Sequence, residues 1–219
     1  MFDKNIYFVR HGETVLNAQK IRQAEGGGLS ERGKIQTAEL ANRLANFNIT
    51  KIFSSPFQRT IETTEVINKK LNLPVEYVPL LAERHNPSSI VGKSYDDPKV
   101  VEAINAMDKS FHQPDFRYED EENFEDLKAR ALKAKVFLQK NAANDTLCVT
   151  HGIFLKMLLC VLVYDKDLTV EQYIKLAVFN PVDNAGITLV KYHPLEFFNN
   201  PWEIVAFNDA SVELKNMQI

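Results

Sequence analysis

Two histidines and two arginines of this 219-residue chain stand where short apolar runs end. Ile6-Tyr7-Phe8-Val9 passes directly into Arg10-His11-Gly12, and Thr146-Leu147-Cys148-Val149-Thr150 into His151-Gly152. A third run, Lys51-Ile52-Phe53-Ser54, leads through Ser55-Pro56 to Arg59 in the first turn of the following helix, where free backbone N–H groups already favour an anion. Short apolar runs of this kind read as buried strands of a parallel sheet, and ligands of such sheets bind outside the carboxyl ends of the strands. One Arg-His-Gly tripeptide carries little information. Three strand ends that bring Arg10, His11, Arg59 and His151 to one edge carry much more.

The chemistry these residue types suit is phosphoryl transfer. A phosphate monoester has close to two negative charges near neutral pH, and cationic groups around its oxygens offset that charge as it shifts during transfer. Arginine binds two phosphate oxygens with a planar fork and stays protonated, whereas His151 must be charged to contribute equally. His11 has the opposite requirement: as nucleophile it needs one nitrogen with a lone pair while the other is held by a hydrogen bond, for instance to a backbone carbonyl.

The elements that must position these groups alternate. Helical stripes follow Ser30 (Leu40, Leu44, Phe47) and Pro56 (Ile61, Thr64, Ile67, Leu71). Two more are formed by Leu127, Ala131, Ala134 and Leu138 behind an Asn123 N-cap, and by Phe154, Leu155, Leu158, Leu159 and Leu162. Strand alternating with helix predicts an α/β fold, a three-layer α/β/α sandwich with a mostly parallel central sheet. Gly186 to Tyr192 and Trp202 to Phe207 read as late strands of a terminal hairpin or sheet edge. The stretch at about 84–123, with Pro87, Pro98, Pro114 and the acidic run Glu119-Asp120-Glu121-Glu122, reads as a cap or insertion over the active-site edge of a single domain spanning 1–219, its charges a solvated surface.

Composition sets bounds. With 45% hydrophobic and 25% charged residues the chain has material for a core, and its formal charge of −3 gives no bulk attraction to nucleic acid or to an anionic membrane. Met1 to Ile6 lacks a basic and an apolar leader region, so a cytoplasmic location is expected. The apolar stretch from Ile153 to Tyr164, broken by Lys156, is too short to cross a bilayer. Cys148 and Cys160 lack metal-ligand spacing and read as buried reduced thiols; His112 and His193 read as surface histidines. Neither a metal nor another cofactor is expected. Gly92-Lys93-Ser94 echoes the end of a P-loop, but Pro87 stands where the upstream glycine is required.

Taken in order, Arg10-His11-Gly12-Glu13-Thr14 with Asn17, Leu29-Ser30-Glu31-Arg32-Gly33, Ser54-Ser55-Pro56 with Arg59, Leu81 with Glu83, and Val149-Thr150-His151-Gly152 resemble the histidine phosphatase superfamily, the phosphoglycerate mutase-like proteins, over about residues 6 to 190. The resemblance implies an α/β/α sandwich and a phosphohistidine mechanism. In it His11 resembles the nucleophile, Arg10, Arg59 and His151 the phosphate clamp, and Glu83 the proton donor, with His85 as a competing acid. Asn17 resembles a further phosphate-side contact and Asn184 a late asparagine near the pocket; Arg84, heading the insertion, is the remaining candidate for substrate binding.

Two departures bear on substrate. Glu25-Gly26-Gly27-Gly28 replaces an acidic residue and proline before Leu29, and the Gly-x-x-Glu-Gly type of segment after Glu83 is missing. The leading expectation is a metal-independent phosphatase for a small phosphorylated metabolite. The alternatives are mutase-type transfer to a second hydroxyl and, from another class, an inactive phosphate-sensing module.

Overall fold

The computed structural model describes residues 3–113, 116–179, 181–195 and 200–210. Six strands form one sheet in the order β3-β2-β4-β1-β5-β6: β1 (Lys4–Arg10), β2 (Lys51–Ser54), β3 (Val75–Tyr77), β4 (Thr146–Thr150), β5 (Ile187–Tyr192) and β6 (Trp202–Asp209). β1 runs parallel to β4, with Arg10 opposite Thr150, and β2 runs parallel to both β4 and β3. β5 and β6 are antiparallel additions, which makes the sheet mixed and confirms the terminal hairpin at its edge.

Alternation along β1 explains the layers. Ile6 and Phe8 enter the core under α5 (Phe124–Asn141), α6 (Gly152–Tyr164) and α7 (Val170–Phe179). Tyr7 and Val9 enter the opposite core, under α2 (Glu31–Leu44) and α3 (Gln58–Leu71). A strand buried on both faces has no polar side, which is why β1 and β4 read as unbroken apolar runs. Asn123 caps α5 through a capping box with Asp126, as its sequence position predicts. Phe47 lies beyond the end of α2 and is 42% exposed, so the stripe stops at Leu44. Among the described residues no helix is long and apolar enough to cross a membrane.

The insertion is more ordered than its prolines suggest. It contains α4 (Pro98–His112), whose Val100, Ala103 and Met107 close over Ile90 and Tyr118 as a small separate core. Pro98 is the first helical residue, the one place where its missing N–H costs nothing, so it starts α4 rather than preventing it. Three short elements, α1 (Val15–Ala18), β3 and α7, have too few residues or too mixed a pattern to stand out in the sequence.

The acidic run is a solvated face only at Glu119 and Asp120, and the rest of it is tied in. Glu121 is fully buried, and its carboxylate meets the Arg84 guanidinium at 2.6 Å. Glu122 accepts from Arg130 Nε and Nη2, both at 2.6 Å, and Asp120 accepts from Ser88. Three adjacent carboxylates thus fasten the end of the insertion to its beginning and to α5. A buried pair broken on one side leaves an unpaired charge in low dielectric, a loss of about 3–5 kcal/mol. Glu121→Ala is therefore expected to lower the urea midpoint without changing the slope of the transition. A loss under about 0.5 kcal/mol would mean that water reaches Arg84 freely.

Candidate active site

The Arg10-His11-Gly12 turn is held from four directions. His11 N–H donates to Thr150 O at 3.1 Å, Gly12 N–H to Thr63 Oγ1 at 3.1 Å and Ala185 N–H to Arg10 O at 3.0 Å, while Asn184 Nδ2 donates to His11 O at 2.8 Å. Underneath, the first turn of α2 presses close. A Cβ on Gly33 would lie 1.9 Å from Glu13 O, and one on Gly12 would lie 2.6 Å from Thr37 Oγ1. Gly12 is thus required for close packing rather than for a left-handed turn. Ser30 anchors the same contact: its Oγ accepts from Gly33 N–H to cap α2 and donates to Glu13 at 2.7 Å.

The His11 ring is buried, and its Nδ1 lies 2.8 Å from Gly12 O. A carbonyl only accepts, so Nδ1 carries the proton and Nε2 keeps its lone pair. Burial, then the charges of Arg59 and Arg10, push the His11 pKa well below the usual histidine value. The bond to Gly12 O, which favours the charged form, is outweighed. The result is a neutral imidazole whose tautomer and orientation are fixed.

His151 is also buried, its ring 5.2 Å from that of His11. Arg59 Nε donates to its Nδ1 at 3.2 Å, so the proton of the neutral ring sits on Nε2 and points to Ser55 Oγ at 2.8 Å. Burial and then Arg59, followed by His11, Arg10 and Arg130, push its pKa well below the usual value. The charge that a neighbouring phosphate would favour on His151 is thus opposed by burial and by the arginines around the ring. Arg59 stacks over Phe57 at 5.0 Å and donates to Ala24 O at 2.7 Å; burial brings its pKa down to about 10. Arg10 donates through Nη1 to Val182 O at 2.6 Å and leaves Nε without a partner among the described residues.

Glu83 sits at the amino end of α6. Its carboxylate accepts from Phe154 N–H at 2.9 Å, Ile153 N–H at 3.2 Å and Arg84 N–H at 2.9 Å, an anion held by a helix terminus. Arg130 fixes the segment before it by donating to Leu80 O, Ala82 O and Glu83 O.

These groups open on a cavity of about 380 Å³ lined by Arg10, His11, Asn17, Arg59, Glu83 and, beyond them, Arg22, Gln23, Asn86, Tyr95, Lys156 and Asp183. His151 lies behind it, against Arg59. Two candidates stand outside. Asn184 spends its amide on the His11 carbonyl, and Arg84 turns under the insertion to Glu121 and to the Phe111 ring, 4.6 Å away. His85 is exposed and paired with Asp120. Sequence reading missed Arg22, Tyr95 and Lys156 because none belongs to a strand-end motif. Among the described residues no group of three or more His, Cys, Asp or Glu side chains is placed to hold a metal ion.

A buried neutral histidine between two arginines, at the carboxyl edge of a layered α/β sheet, defines a site for phosphoryl transfer through the imidazole. In agreement, residues 6–210 match the family described as Histidine phosphatase superfamily (branch 1), and the chain belongs to it. Membership brings phosphohistidine chemistry on small phosphoesters and the standing of an enzyme. One relative, "Fructose-2,6-bisphosphatase TIGAR B" of Danio rerio, is 29% identical over 213 residues, covering 82% of this chain and 83% of its own. Another, "Probable phosphoglycerate mutase GpmB" of Proteus mirabilis, is 27% identical over 216 residues, covering 94% and 93%. Solved structures share the fold. Mycobacterial glucosyl-3-phosphoglycerate phosphatase has a TM-score of 0.77 at 20% identity, covering 95% of this chain and 100% of its own. The α-ribazole phosphatase of Shigella flexneri has a TM-score of 0.76 at 18% identity, covering 94% and 96%.

The depressed pKa of His11 has a kinetic consequence. The attacking ring must be neutral, so activity falls only when pH drops below its pKa, and the acidic limb attributable to His11 is expected below the usual histidine range. Arg59→Gln removes a charge that lowers this pKa, so that limb should move upward. Profiles of kcat/KM for both proteins on one substrate cancel the substrate's own ionisation. Coincident limbs would show that Arg59 does not act on His11.

Proposed function

We propose that the protein is a phosphomonoesterase that hydrolyses small phosphorylated metabolites by way of phospho-His11. The observation that carries this reading is the His11 ring: its Nδ1–H is committed to Gly12 O and its Nε2 lone pair belongs to a ring lining a cavity with Arg10 and Arg59. Nε2 attacks the phosphorus, and Arg10 and Arg59 stabilise the oxygens. The incoming dianion adds the negative charge that His151 lacks, and once charged, its Nδ1–H donates to a phosphoryl oxygen in place of accepting from Arg59. In this reading Glu83 relays a proton, taken up from solvent or from the substrate monoester, to the leaving alkoxide, then takes one from the water that attacks phospho-His11.

Mutase-type transfer is the second reading, favoured by the names of the GpmB relatives. Hydrolysis is preferred because residues beyond the clamp leave the cavity polar and wide enough for water. An inactive phosphate sensor has no need of a nucleophile kept neutral among cations.

Rapid mixing with a labelled ester, followed by acid-free denaturation, is expected to leave phosphate on His11, and His11→Ala to leave none. Phosphate found on Ser54 or Ser55 would overturn the mechanism. Chelators are expected to leave turnover unchanged; loss restored by magnesium would contradict the assignment of charge to Arg10, Arg59 and His151. Glu83→Gln should lower kcat/KM on alkyl phosphates by about 10²–10⁴-fold and far less on nitrophenyl phosphate, whose leaving group needs no proton. Equal losses on both esters would make Glu83 a shaping residue only.

A further inference from the structure

Three buried side-chain nitrogens lack a hydrogen-bond partner among the described residues, and two of them, Arg10 Nε and Arg22 Nε, belong to residues lining the same cavity. Buried polar groups are as a rule satisfied, so two orphaned guanidinium donors at one cavity mark a place built for a ligand. Arg10 belongs to the phosphoryl clamp. Arg22 does not.

Arg22 is placed with care. After α1 the chain runs beside the Gly92-Lys93-Ser94 segment of the insertion, joined by a bridge between Ile21 and Ser94. Arg22 N–H donates to Lys93 O at 2.9 Å, Gly92 N–H to Arg22 O at 2.8 Å and Tyr95 N–H to Lys20 O at 2.9 Å. Gly92 turns with φ of 79°, a conformation that strains other residues. This small ribbon lays the Arg22 guanidinium over the Tyr95 ring at 4.5 Å and brings both side chains to the cavity. The segment that echoes a P-loop in sequence serves as the backing of Arg22.

The carboxylates of the cavity are engaged elsewhere. Glu83 is held by three backbone amides, and Asp183 accepts from Asn208 Nδ2 at 2.8 Å. Both favour the charge of Arg10. Lys156 adds a further cation, with one of its donors on Ala177 O at 2.6 Å. Arg22 is thus a positioned cation without a carboxylate partner among the described residues, next to a site already furnished with two arginines for the phosphoryl group.

We propose that Arg22, backed by Tyr95 and reinforced by the field of Lys156, is a subsite for a second anionic group of the substrate, a carboxylate or a second phosphate. The inference rests on the proposed phosphoryl site at His11 for the position of the first group. Binding to His11→Ala protein, which forms no phosphohistidine, tests it independently of turnover. Calorimetry compares 3-phosphoglycerate with glycerol 3-phosphate, and propane-1,3-diol bisphosphate with 3-hydroxypropyl phosphate; the pair with the larger ratio identifies the second group.

The doubly anionic member of at least one pair is expected to bind about 10–100-fold tighter, the range for one charge-assisted contact. Arg22→Gln should erase that ratio while leaving the singly phosphorylated partner unchanged, and Arg22→Lys should restore part of it. Equal binding within both pairs, no binding of any of the four, or a uniform loss in Arg22→Gln overturns the subsite. A preference that survives in His11→Ala while the native protein forms no phospho-His11 overturns the proposed function and leaves the subsite standing.

Discussion

The bond from His11 Nδ1–H to Gly12 O organises the site, because it decides which nitrogen can attack and holds the ring within a cluster of like charge. It works only while the turn that carries it stays rigid. Rigidity comes from glycines that let the first turn of α2 touch the backbone of Glu13, and from Asn184 and Thr63, which take up polar groups the turn would otherwise leave buried and unpaired. Asn184 thereby acts on the nucleophile from behind, through the His11 carbonyl.

That constraint has an electrostatic cost that the fold meets in an economical way. Arg59 is buried and Arg10 half-buried, and among the described residues both bind backbone carbonyls rather than carboxylates. A carboxylate partner would bind a guanidinium more strongly and compete with phosphate for the same fork. Carbonyls hold the side chains in place, and the nearby Glu83 carboxylate favours the charge of both. Burial, and after it the charges of Arg59 and Arg10, keeps His11 and His151 neutral, so one arrangement serves both the candidate nucleophile and the candidate clamp.

The strand-end residues were legible in the sequence because a doubly buried strand is a continuous apolar run, and the residue after it has one place to be. Arg59, in the first turn of α3, needs the helix start as well, while Arg10, His11 and His151 follow from that rule alone. Glu83 does not: it follows a 3-10 turn (Pro79–Leu81) rather than a strand, and only resemblance singled it out. Glu121 and Glu122, in the run 119–122, were misread for a related reason. Composition marks charge as exposed, while the partners that bury Glu121 and Glu122 lie 37 and 8 residues away and are invisible to local pattern. Pro98 misled in the same way, since its effect depends on whether it falls first or inside a helix.

Distance along the chain separates the chemistry from what surrounds it. Arg10, His11 and His151 come from the ends of strands that pair in the sheet, and Arg59 from the first turn of α3 packed on that sheet, so their geometry is tied to the core. Arg22 and Tyr95 come from loops paired by a short ribbon, and the insertion that supplies Tyr95 is tied down by Arg84–Glu121 and Arg130–Glu122. Arg130 is where the two systems meet, since the same guanidinium that binds Glu122 also binds the carbonyls before Glu83. A change of cap that disturbed Glu122 would therefore reach the candidate acid, whereas a change confined to 91–95 would reach Arg22 and leave Glu83 in place. The Arg22 side of the ribbon runs on to Ala24, whose carbonyl holds Arg59, so a change at 20–22 reaches the clamp, while one at 91–95 alters substrate choice through Arg22 and Tyr95.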